Sequence, residues 1–578
     1  MLRHLSVISQ GIWILPMKIP DVLTFRHLVE NSTSRYGDTP ALGYAGGDTM
    51  TYNAVNEGII RLTDLLISGG IQSGDRVMLL GQNMPNWGVS YLAVTSMGAI
   101  VVPVLTDFSE EEIAKLIGHS EAKALIVSEK LAPKLKGTFP ETLKMAVLMD
   151  DFREISLGML EMTGSVGSAE PRRSNGVGMP PAPKEDDLAA ILYTSGTTGK
   201  PKGVMLTHKN ILSNAVNTLG IQNVTEKDRL LSVLPLPHTY ECTIGFLIPY
   251  MSGAAIYYLD KLPTPAVLLP AMQQVKPTMM LTVPLIIEKV YRNKVLPKLT
   301  GSKAMRFLSQ SRKVQKALHR MAGKKIYKAF GGELHFFGIG GSKLDAATER
   351  FLRDAGFPYA IGYGLTETAP LLAGCGPSLT KYRSTGFCLP GQKLRIIDPD
   401  PHTGEGEIVA SGPNIMKGYY KEPGLTKDVF TSDGWFRTGD LGLLDNDGYL
   451  YIKGRLKNII ISASGENIYP EDIEAVINSQ PTVLESLVYE LKGKLVARVH
   501  LNYEEIDQRY NEMKESAGQF YEQTREKVSQ RLSEIQQRVN SRLNRFSRLT
   551  FIEEQSEPFE KTPTKKIKRF LYKDKDQD

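Results

Sequence analysis

The stretch LAAILYTSGTTGKPKG, residues 188–203, decides how the rest of the chain is interpreted. Its first part, Leu188–Tyr193, is a short apolar run that predicts a buried strand. The residues that follow contain four hydroxyl side chains and three glycines. Such a loop can turn tightly, present backbone N–H groups to phosphate oxygens and add hydroxyl donors. We therefore predict that this loop binds the phosphates of a nucleotide.

The P-loop NTPases are the first alternative for such a loop. Their motif needs a glycine, four further residues, and then Gly-Lys-Ser or Gly-Lys-Thr. Here Gly196 lies only three residues before Gly199, and Pro201 stands where the P-loop needs a hydroxyl residue. The pattern therefore excludes a P-loop. A flexible linker is disfavoured because an apolar strand precedes the loop and the segment LTHKN follows it closely.

Composition bounds the class of protein. The chain has 578 residues, which is long for one core and indicates more than one domain. A net charge of +6 gives no reason to expect nucleic acid, but it suits anionic small ligands. The three cysteines form neither a disulfide framework nor a zinc site, so we expect reduced thiols in the cytoplasm. No apolar run reaches the length of a membrane span.

The pattern of elements predicts an α/β fold. Asp75–Gln82 and Ala122–Ser128 read as buried strands, and Glu110–Ile117 between them reads as a helix. This alternation indicates βαβ units and a largely parallel sheet. Residues 164–186 are rich in Gly, Pro and Ser and read as a long surface loop. Residues 503–546 have apolar positions at steps of three and four, which predicts a helix or helical hairpin that packs on a neighbouring surface or on a dimer partner.

Several further motifs carry a family resemblance. Together with the loop at Thr194–Lys202, they resemble the adenylate-forming (AMP-binding) superfamily of acyl-CoA synthetases, peptide-synthetase adenylation domains and luciferases. The most specific are YGLTET at Tyr363–Thr368, DGWFRTGDLG at Asp433–Gly442 and TPTKKIKR at Thr562–Arg569. LPLPHTYE at Leu234–Glu241 and VPLIIEKV at Val283–Val290 look most like long-chain fatty acyl-CoA synthetases. The resemblance covers about residues 20–572.

The resemblance implies a fold with two parts. We expect residues 1–19 to be an N-terminal extension and residues 20–454 to form a large AMP-binding α/β domain. Residues 455–578 would form a small mobile α+β lid with a helical insertion at about 503–546. The lid would pivot at Lys457.

The resemblance also implies the site residues. The catalytic residues would be Lys566, Glu367 and Thr366, with Lys566 assigned by its place before Ile567. Thr194 and Glu367 would hold Mg²⁺, His238 would lie at the acyl–adenylate junction, and Gly465 and Glu466 would line the path of coenzyme A. The residues implied to bind ATP and AMP are Thr194, Ser195, Gly196, Thr197, Thr198, Gly199, Lys202, Gly340, Gly341, Ser342, Gly362, Tyr363, Gly364, Thr366, Asp440, Ile452, Arg455 and Lys457.

The implied activity is that of a long-chain fatty acid–CoA ligase. The enzyme would join a fatty acid to AMP with release of pyrophosphate and then pass the acyl group to coenzyme A. Two alternatives stay open: a fatty acyl-AMP ligase that delivers the acyl group to a carrier protein, and a non-catalytic nucleotide-binding regulator on the same fold. A homodimer and peripheral contact with the inner face of a membrane also stay open, because the substrate partitions into bilayers and the C-terminal tail is basic.

Overall fold

The structure is a computed structural model. It describes residues 21–137, 139–167, 179–195, 201–300, 302, 305, 307, 310–461, 467–503, 522–562 and 566–573. The strands among these residues are β1 Pro40–Tyr44, β2 Thr49–Thr51, β3 Arg76–Leu80, β4 Ile100–Val104, β5 Ala122–Val127, β6 Met145–Leu148, β7 Glu154–Ile155, β8 Leu188–Ser195, β9 Pro201–Thr207, β10 Arg229–Leu231, β11 Ala255–Tyr258, β12 Met279–Thr282, β13 Phe336–Ile339, β14 Tyr359–Ile361, β15 Tyr363–Gly364, β16 Leu371–Gly374, β17 Phe387–Cys388, β18 Lys393–Ile397, β19 Gly406–Ser411, β20 Gly418–Tyr419, β21 Phe436–Leu444, β22 Leu450–Arg455, β23 Ile460–Ile461, β24 Asn467–Ile468, β25 Val483–Leu491, β26 Lys494–Leu501 and β27 Phe551–Glu554.

The helices are distributed between these strands along the whole described chain. They are α1 Phe25–Tyr36, α2 Tyr52–Ser68, α3 Pro85–Ser96, α4 Glu110–Ser120, α5 Leu157–Thr163, α6 His208–Leu219, α7 Ile248–Met251, α8 Pro265–Val275, α9 Pro284–Val290, α10 Leu296–Thr300, α11 Arg312–Ala329, α12 Ala346–Ala355, α13 Pro423–Asp428, α14 Pro470–Asn478, α15 Glu522–Asn540 and α16 Phe570–Lys573. None of the helices in the described ranges is long and apolar enough to cross a bilayer.

Two large sheets form most of the molecule. One has eight strands in the order β20-β9-β8-β4-β3-β5-β6-β7, and the other has seven in the order β14-β13-β12-β10-β11-β1-β2. Their central strands pair in parallel, whereas the edges are closed by antiparallel pairs such as β8 with β9 and β1 with β2. Parallel strands covered by helices on both faces are apolar throughout, which is why these strands read as continuous apolar runs. The predicted α/β fold is confirmed.

The predicted elements of the first 200 residues are present with small shifts in their ends. The run at residues 75–82 is β3, and the run at 122–128 is β5. The helix predicted at 110–117 is α4, which begins at a capping box between Ser109 and Glu112 and buries Ile113, Leu116 and Ile117. The capping box fixes where the helix begins, and the apolar spacing fixes which face it buries.

The last hundred residues build a smaller layer of their own. Strands β25, β26 and β27 form a three-stranded sheet, and α14 and α15 pack on it. The predicted helix at 503–546 is described from Glu522 onward, and it buries Val528, Leu532, Ile535 and Val539 against this sheet. The described part of that helix therefore packs on a surface of the same chain. Its earlier part, residues 504–521, lies outside the described residues.

Candidate active site

The predicted phosphate loop joins two neighbouring antiparallel strands. In the β8–β9 pair, Thr194 lies opposite Lys202 and Ser195 lies opposite Pro201. The residues between, with Gly196, Thr197, Thr198 and Gly199 among them, lie outside the described residues. A P-loop leads from a strand into a helix, whereas here a second strand follows the loop. The observed topology agrees with the exclusion of a P-loop.

Tyr363, Asp440 and Arg455, from three separate stretches of the chain, form one polar group around the buried Asp440 carboxylate. The hydroxyl of Tyr363 donates to Asp440 Oδ2 at 2.8 Å, and Arg455 Nε lies 2.7 Å from Asp440 Oδ1. Asp440 and Arg455 are direct partners in the β21–β22 ladder, so the sheet register holds the ion pair together. Burial raises the pKa of Asp440, and the Arg455 charge and the Tyr363 hydrogen bond oppose that rise. Ile452 packs beside Tyr363 in the same cluster.

Glu367 stands at the beginning of a short 3-10 turn, Thr366–Thr368, directly after Tyr363–Gly364. The Tyr419 hydroxyl donates to Glu367 Oε1 at 2.9 Å, and the Met416 N–H donates to the Glu367 carbonyl at 2.9 Å. Lys202 Nζ lies 5.3 Å from the centre of the Tyr419 ring. The carboxylate is thus oriented by a neutral donor, and its second oxygen remains for a cation.

Four of the predicted nucleotide residues are glycines at crowded or left-handed backbone positions. A Cβ on Gly340 would lie 3.0 Å from Tyr240 Cζ, so the end of β13 lies directly on the Tyr240 ring. Gly341 has a φ of 89°, a conformation that side chains rarely adopt, and Ser342 beside it is exposed. A Cβ on Gly364 would overlap the carbonyl of Pro370. Gly362, also predicted to bind AMP, lies between β14 and β15.

The C-terminal segment presents Lys566 from an anchored turn. The Thr562 N–H donates to the Lys566 carbonyl at 2.8 Å, and the Lys566 N–H donates to Thr562 Oγ1 at 3.2 Å. Arg569 Nη2 then donates to Glu474 Oε2 at 2.5 Å, which ties the turn to α14. The turn is therefore fixed to the small C-terminal layer, and its lysine extends away from it.

Charged residues from other parts of the chain act on the pKa of Lys566. Desolvation and the positive charge of Arg455 lower the pKa of Lys566, while Asp440 and Glu367 oppose that change. Desolvation followed by the charges of Arg455, Lys566 and Lys202 lowers the pKa of Lys457 to about 8. The C-terminal segment and the nucleotide motifs of the large domain thus meet at one place. Neighbouring positive charges lower the pKa of both Lys566 and Lys457 there, so an anionic ligand would find positive charge to neutralise.

His238 lies at the edge of this group. Burial, followed by the charge of Lys566, lowers the pKa of His238 to about 4, and Asp107 opposes the shift. The imidazole is therefore neutral at physiological pH and adds no further positive charge. His238 belongs to the segment 232–241, which is hydrogen-bonded to Asn83 from a distant part of the chain.

The hydrogen bonds between Asn83 and this segment were not predicted from the sequence. Asn83 Nδ2 donates to the Leu234 carbonyl at 2.6 Å and to Ser232 Oγ at 3.2 Å, and the Leu236 N–H donates to Asn83 Oδ1 at 3.0 Å. Ser232 in turn donates to Glu241 Oε1 at 2.5 Å. About 150 residues separate Asn83 from the segment it holds, so no local pattern could indicate the contact. The role of Tyr419 was also missed, because only its contact with Glu367 reveals it.

The structure leaves part of the predicted site undescribed. Gly465 and Glu466, predicted to line the coenzyme A path, lie outside the described residues. Lys457 stands in a short 3-10 turn, Leu456–Asn458, between β22 and β23. Of the predicted nucleotide residues, Tyr363 and Arg455 contact Asp440, and Lys202 lies near the Tyr419 ring whose hydroxyl donates to Glu367.

Comparison with known proteins identifies the family. Residues 29–420 match the model of the family described as AMP-binding enzyme. The chain is 30% identical over 457 residues to the long-chain-fatty-acid–CoA ligase FadD15 of Mycobacterium bovis, covering 73% of this chain and 72% of that protein. It is 28% identical over 496 residues to 4-coumarate–CoA ligase 1 of Petroselinum crispum, covering 82% and 84%. The crystal structure of ATP-bound MatB from Rhodopseudomonas palustris has a TM-score of 0.69 and 25% identity, covering 95% and 99%. The chain belongs to the AMP-binding enzyme family, the adenylate-forming ligases.

Proposed function

We propose that this ligase activates a medium- to long-chain fatty acid with ATP and transfers the acyl group to coenzyme A. The observation that carries the proposal is that Lys202, Arg455 and Lys566 lie in the same region as Glu367 and Asp440. This arrangement offers cations for the phosphates of ATP and for the carboxylate of the acid, and a carboxylate for the ribose hydroxyls.

In the first step, a carboxylate oxygen of the fatty acid attacks the α-phosphorus of ATP, and pyrophosphate leaves. Asp440 accepts hydrogen bonds from the ribose hydroxyls, and Tyr363 stacks against the adenine. Lys566 neutralises the charge that builds up between the carboxylate and the α-phosphate. Two anions approach each other in this reaction, so preorganised cations and correct orientation supply most of the rate enhancement. No covalent enzyme intermediate is needed.

A magnesium ion fits the same site. Among the described residues, no three His, Cys, Asp or Glu side chains are placed to hold a metal by themselves. Mg²⁺ in nucleotide sites needs only one or two protein oxygens, because substrate phosphates and water complete its shell. Glu367 and Thr194 are the residues we propose to hold it. When bound, Mg²⁺ would neutralise charge on the phosphates of ATP.

In the second step, the thiol of coenzyme A attacks the acyl carbon and AMP leaves. We propose that the C-terminal part rotates about Lys457 between the two steps, which withdraws Lys566 and brings Gly465 and Glu466 to the thiol path. Alternation of one lid between two orientations lets a single site serve both reactions. The turn that carries Lys566 is anchored to α14 through Arg569, so lysine and lid would move as one unit.

The choice of a fatty acid rests on two kinds of support. LPLPHTYE and VPLIIEKV resemble the long-chain synthetases, and a long-chain-fatty-acid–CoA ligase is among the relatives. The neutral His238 and the aromatic Tyr240 are suited to a weakly polar acyl group. The 4-coumarate–CoA ligases are matched as well, so an aromatic acid is the rival substrate.

The experiment is ATP–pyrophosphate exchange with unbranched acids from acetate to stearate, with 4-coumarate and with amino acids. Each methylene that enters an apolar pocket can contribute up to ~0.8 kcal/mol, or up to about fourfold in kcat/KM. We expect kcat/KM to climb with chain length and then level off. Highest activity with acetate, 4-coumarate or an amino acid would overturn the fatty acid assignment.

The same reactions, repeated with coenzyme A or a pantetheinylated carrier protein, decide the acceptor. Acyl-CoA formation is the expected result. Acyl-AMP that reacts only with the carrier protein would favour the acyl-AMP ligase, and absence of exchange with every acid would favour a non-catalytic nucleotide-binding protein. We further propose a cytoplasmic location, since Cys242, Cys375 and Cys388 are all free thiols.

A further inference from the structure

One segment of the chain carries positive charge without any negative charge. Residues 289–332 contain 13 lysines and arginines and no aspartate or glutamate, although the whole chain has 69 basic and 63 acidic residues. The segment leaves the seven-stranded sheet after β12 and returns at β13. A cationic excess concentrated in one excursion indicates an anionic partner.

Helix α11 divides this charge between two faces. One face packs on α12 through His319, Gly323 and Ile326. Arg312 at its beginning donates two hydrogen bonds of 2.6 Å to Asp354, and His319 Nδ1 lies 2.8 Å from the same carboxylate. This face is therefore fixed to the body of the enzyme.

The opposite face is a cationic stripe, which we define as Lys313, Lys316, Arg320, Lys324 and Lys328. These residues recur at steps of three and four, so they lie along one side of the helix, and all are exposed. Within the described residues, none of them lies within ion-pair distance of a carboxylate. Elsewhere on the surface such partners occur, as Lys115 with Glu111 on α4. The stripe therefore carries its full charge to the surface.

Apolar side chains accompany the stripe. Met321 on α11 is 61% exposed, and Phe307, just before the helix, is 74% exposed. An acidic protein would satisfy the charges, but a bilayer of anionic lipid satisfies both features, since headgroups attract the cations and the interface accepts the apolar groups. Val283, which lies between β12 and this segment, is close to a predicted nucleotide residue, because a Cβ on Gly341 would lie 3.6 Å from Val283 Cγ1.

We propose that the cationic stripe of α11 docks on the surface of an anionic phospholipid bilayer and brings the enzyme to a substrate dissolved there. The benefit to catalysis rests on the proposed fatty acid function, whereas the docking itself does not. The interaction is electrostatic and peripheral, so it weakens as salt is added.

The test is cosedimentation of the full chain with vesicles of phosphatidylcholine alone or with added phosphatidylserine, at low salt and without ATP or acid. The variant replaces all five stripe residues with glutamine. Each basic residue near an anionic surface contributes roughly fivefold to binding, so we expect a loss of more than about a hundredfold. The matched control replaces Lys130, Lys144, Lys227, Lys261 and Lys393, exposed lysines outside the segment, with glutamine. It should lose at most a few-fold.

A second measurement separates docking from catalysis. With a water-soluble medium-chain acid, the stripe variant should keep the parental kcat and KM, and with a long-chain acid supplied in anionic vesicles it should be slower. Equal vesicle binding by the stripe variant and the parent would overturn the proposal. An equal loss of vesicle binding in the control variant would overturn it as well. The proposal would also fail if the stripe proved necessary only for reaction with an acidic carrier protein. If fatty acids prove not to be substrates, the measurement of vesicle binding still tests whether the stripe docks on the bilayer.

Discussion

Ser232 donates a 2.5 Å hydrogen bond to Glu241, a carboxyl group that is only 1% exposed. Glu241 Oε2 has no hydrogen-bond partner within the described chain. Burial raises the pKa of Glu241 to about 8, and the Ser232 bond opposes this only in part. The neighbouring Tyr240, Cys242 and Tyr258 are neutral, so they supply no counter-charge. The enzyme therefore holds a protonated glutamic acid in the same segment as His238.

Replacement of Glu241 by glutamine should remove a pH dependence of stability. Because the folded pKa lies above the unfolded value of 4.5, the folded state binds an extra proton between about pH 4.5 and pH 8. The parent should lose stability relative to Glu241→Gln as pH rises through this range, by up to about 1.4 kcal/mol per pH unit. Thermal unfolding midpoints of both proteins at pH 5, 6, 7 and 8 test this. Parallel curves would show that Glu241 does not titrate as described.

Glu367→Gln should cripple adenylation while the fold is retained. The Tyr419 hydroxyl can still donate to the amide oxygen, so the turn keeps its contact, but a cation loses its anionic ligand. Pyrophosphate release should fall by about a hundredfold at saturating magnesium, as for loss of a preorganised charge in other enzymes. Glu422→Gln, an exposed carboxylate nearby, is the control and should behave as the parent. Near-parental release by Glu367→Gln would remove this residue from its proposed role.

Asp440→Asn should weaken ATP binding selectively. The change removes the anionic partner of Arg455 and the charged acceptor for the ribose, while Tyr363 keeps an oxygen to donate to. Charge-assisted hydrogen bonds contribute about 1.5–3 kcal/mol, so the KM for ATP should rise roughly ten- to a hundredfold. The KM for the acid should change little. Steady-state kinetics with each substrate varied in turn distinguish the two, and an equal rise in both KM values would indicate a general distortion.

Local sequence patterns predict the parts of this enzyme whose structure depends on local chemistry. Strands β3, β5 and β8 were predicted because buried parallel strands must be apolar. The helix α4 was predicted between two of them, and the structure shows that its cap and its apolar spacing both lie within a dozen residues. The family motifs indicated Tyr363, Asp440 and Arg455, which the fold brings together.

Contacts across the chain could not be predicted in this way. Asn83 holds the Leu234 segment, and Arg569 positions Lys566 through Glu474, yet neither contact has any periodic or local signature. Such contacts are decided by the packing of the whole molecule. The domain boundary at 454 and the roles of all the predicted site residues, with Gly196–Gly199, Gly465 and Glu466 among them, stay predictions.

Lys566→Ala should separate the two half-reactions. In the structure the charges of Asp440 and Glu367 act on Lys566, which is the arrangement we propose for adenylation. Loss of one preorganised charged donor in the transition state costs about 10²–10³ in rate, so acyl-CoA formation from ATP should nearly vanish. We propose that the thioester step uses the other lid orientation, in which Lys566 would be withdrawn. Chemically made acyl-AMP with coenzyme A should therefore react with the variant within a few-fold of the parental rate.

The control for this experiment comes from the neighbouring lysine. Lys565→Ala removes the same charge one residue earlier, and both half-reactions should stay close to parental because the family resemblance assigns the catalytic role to Lys566, the residue before Ile567. The turn should survive in Lys566→Ala, since its hydrogen bonds with Thr562 are made by the Lys566 backbone and its anchor is Arg569. Equal losses from ATP and from acyl-AMP would make Lys566 a structural residue. A loss confined to Lys565→Ala would instead shift the catalytic role by one position.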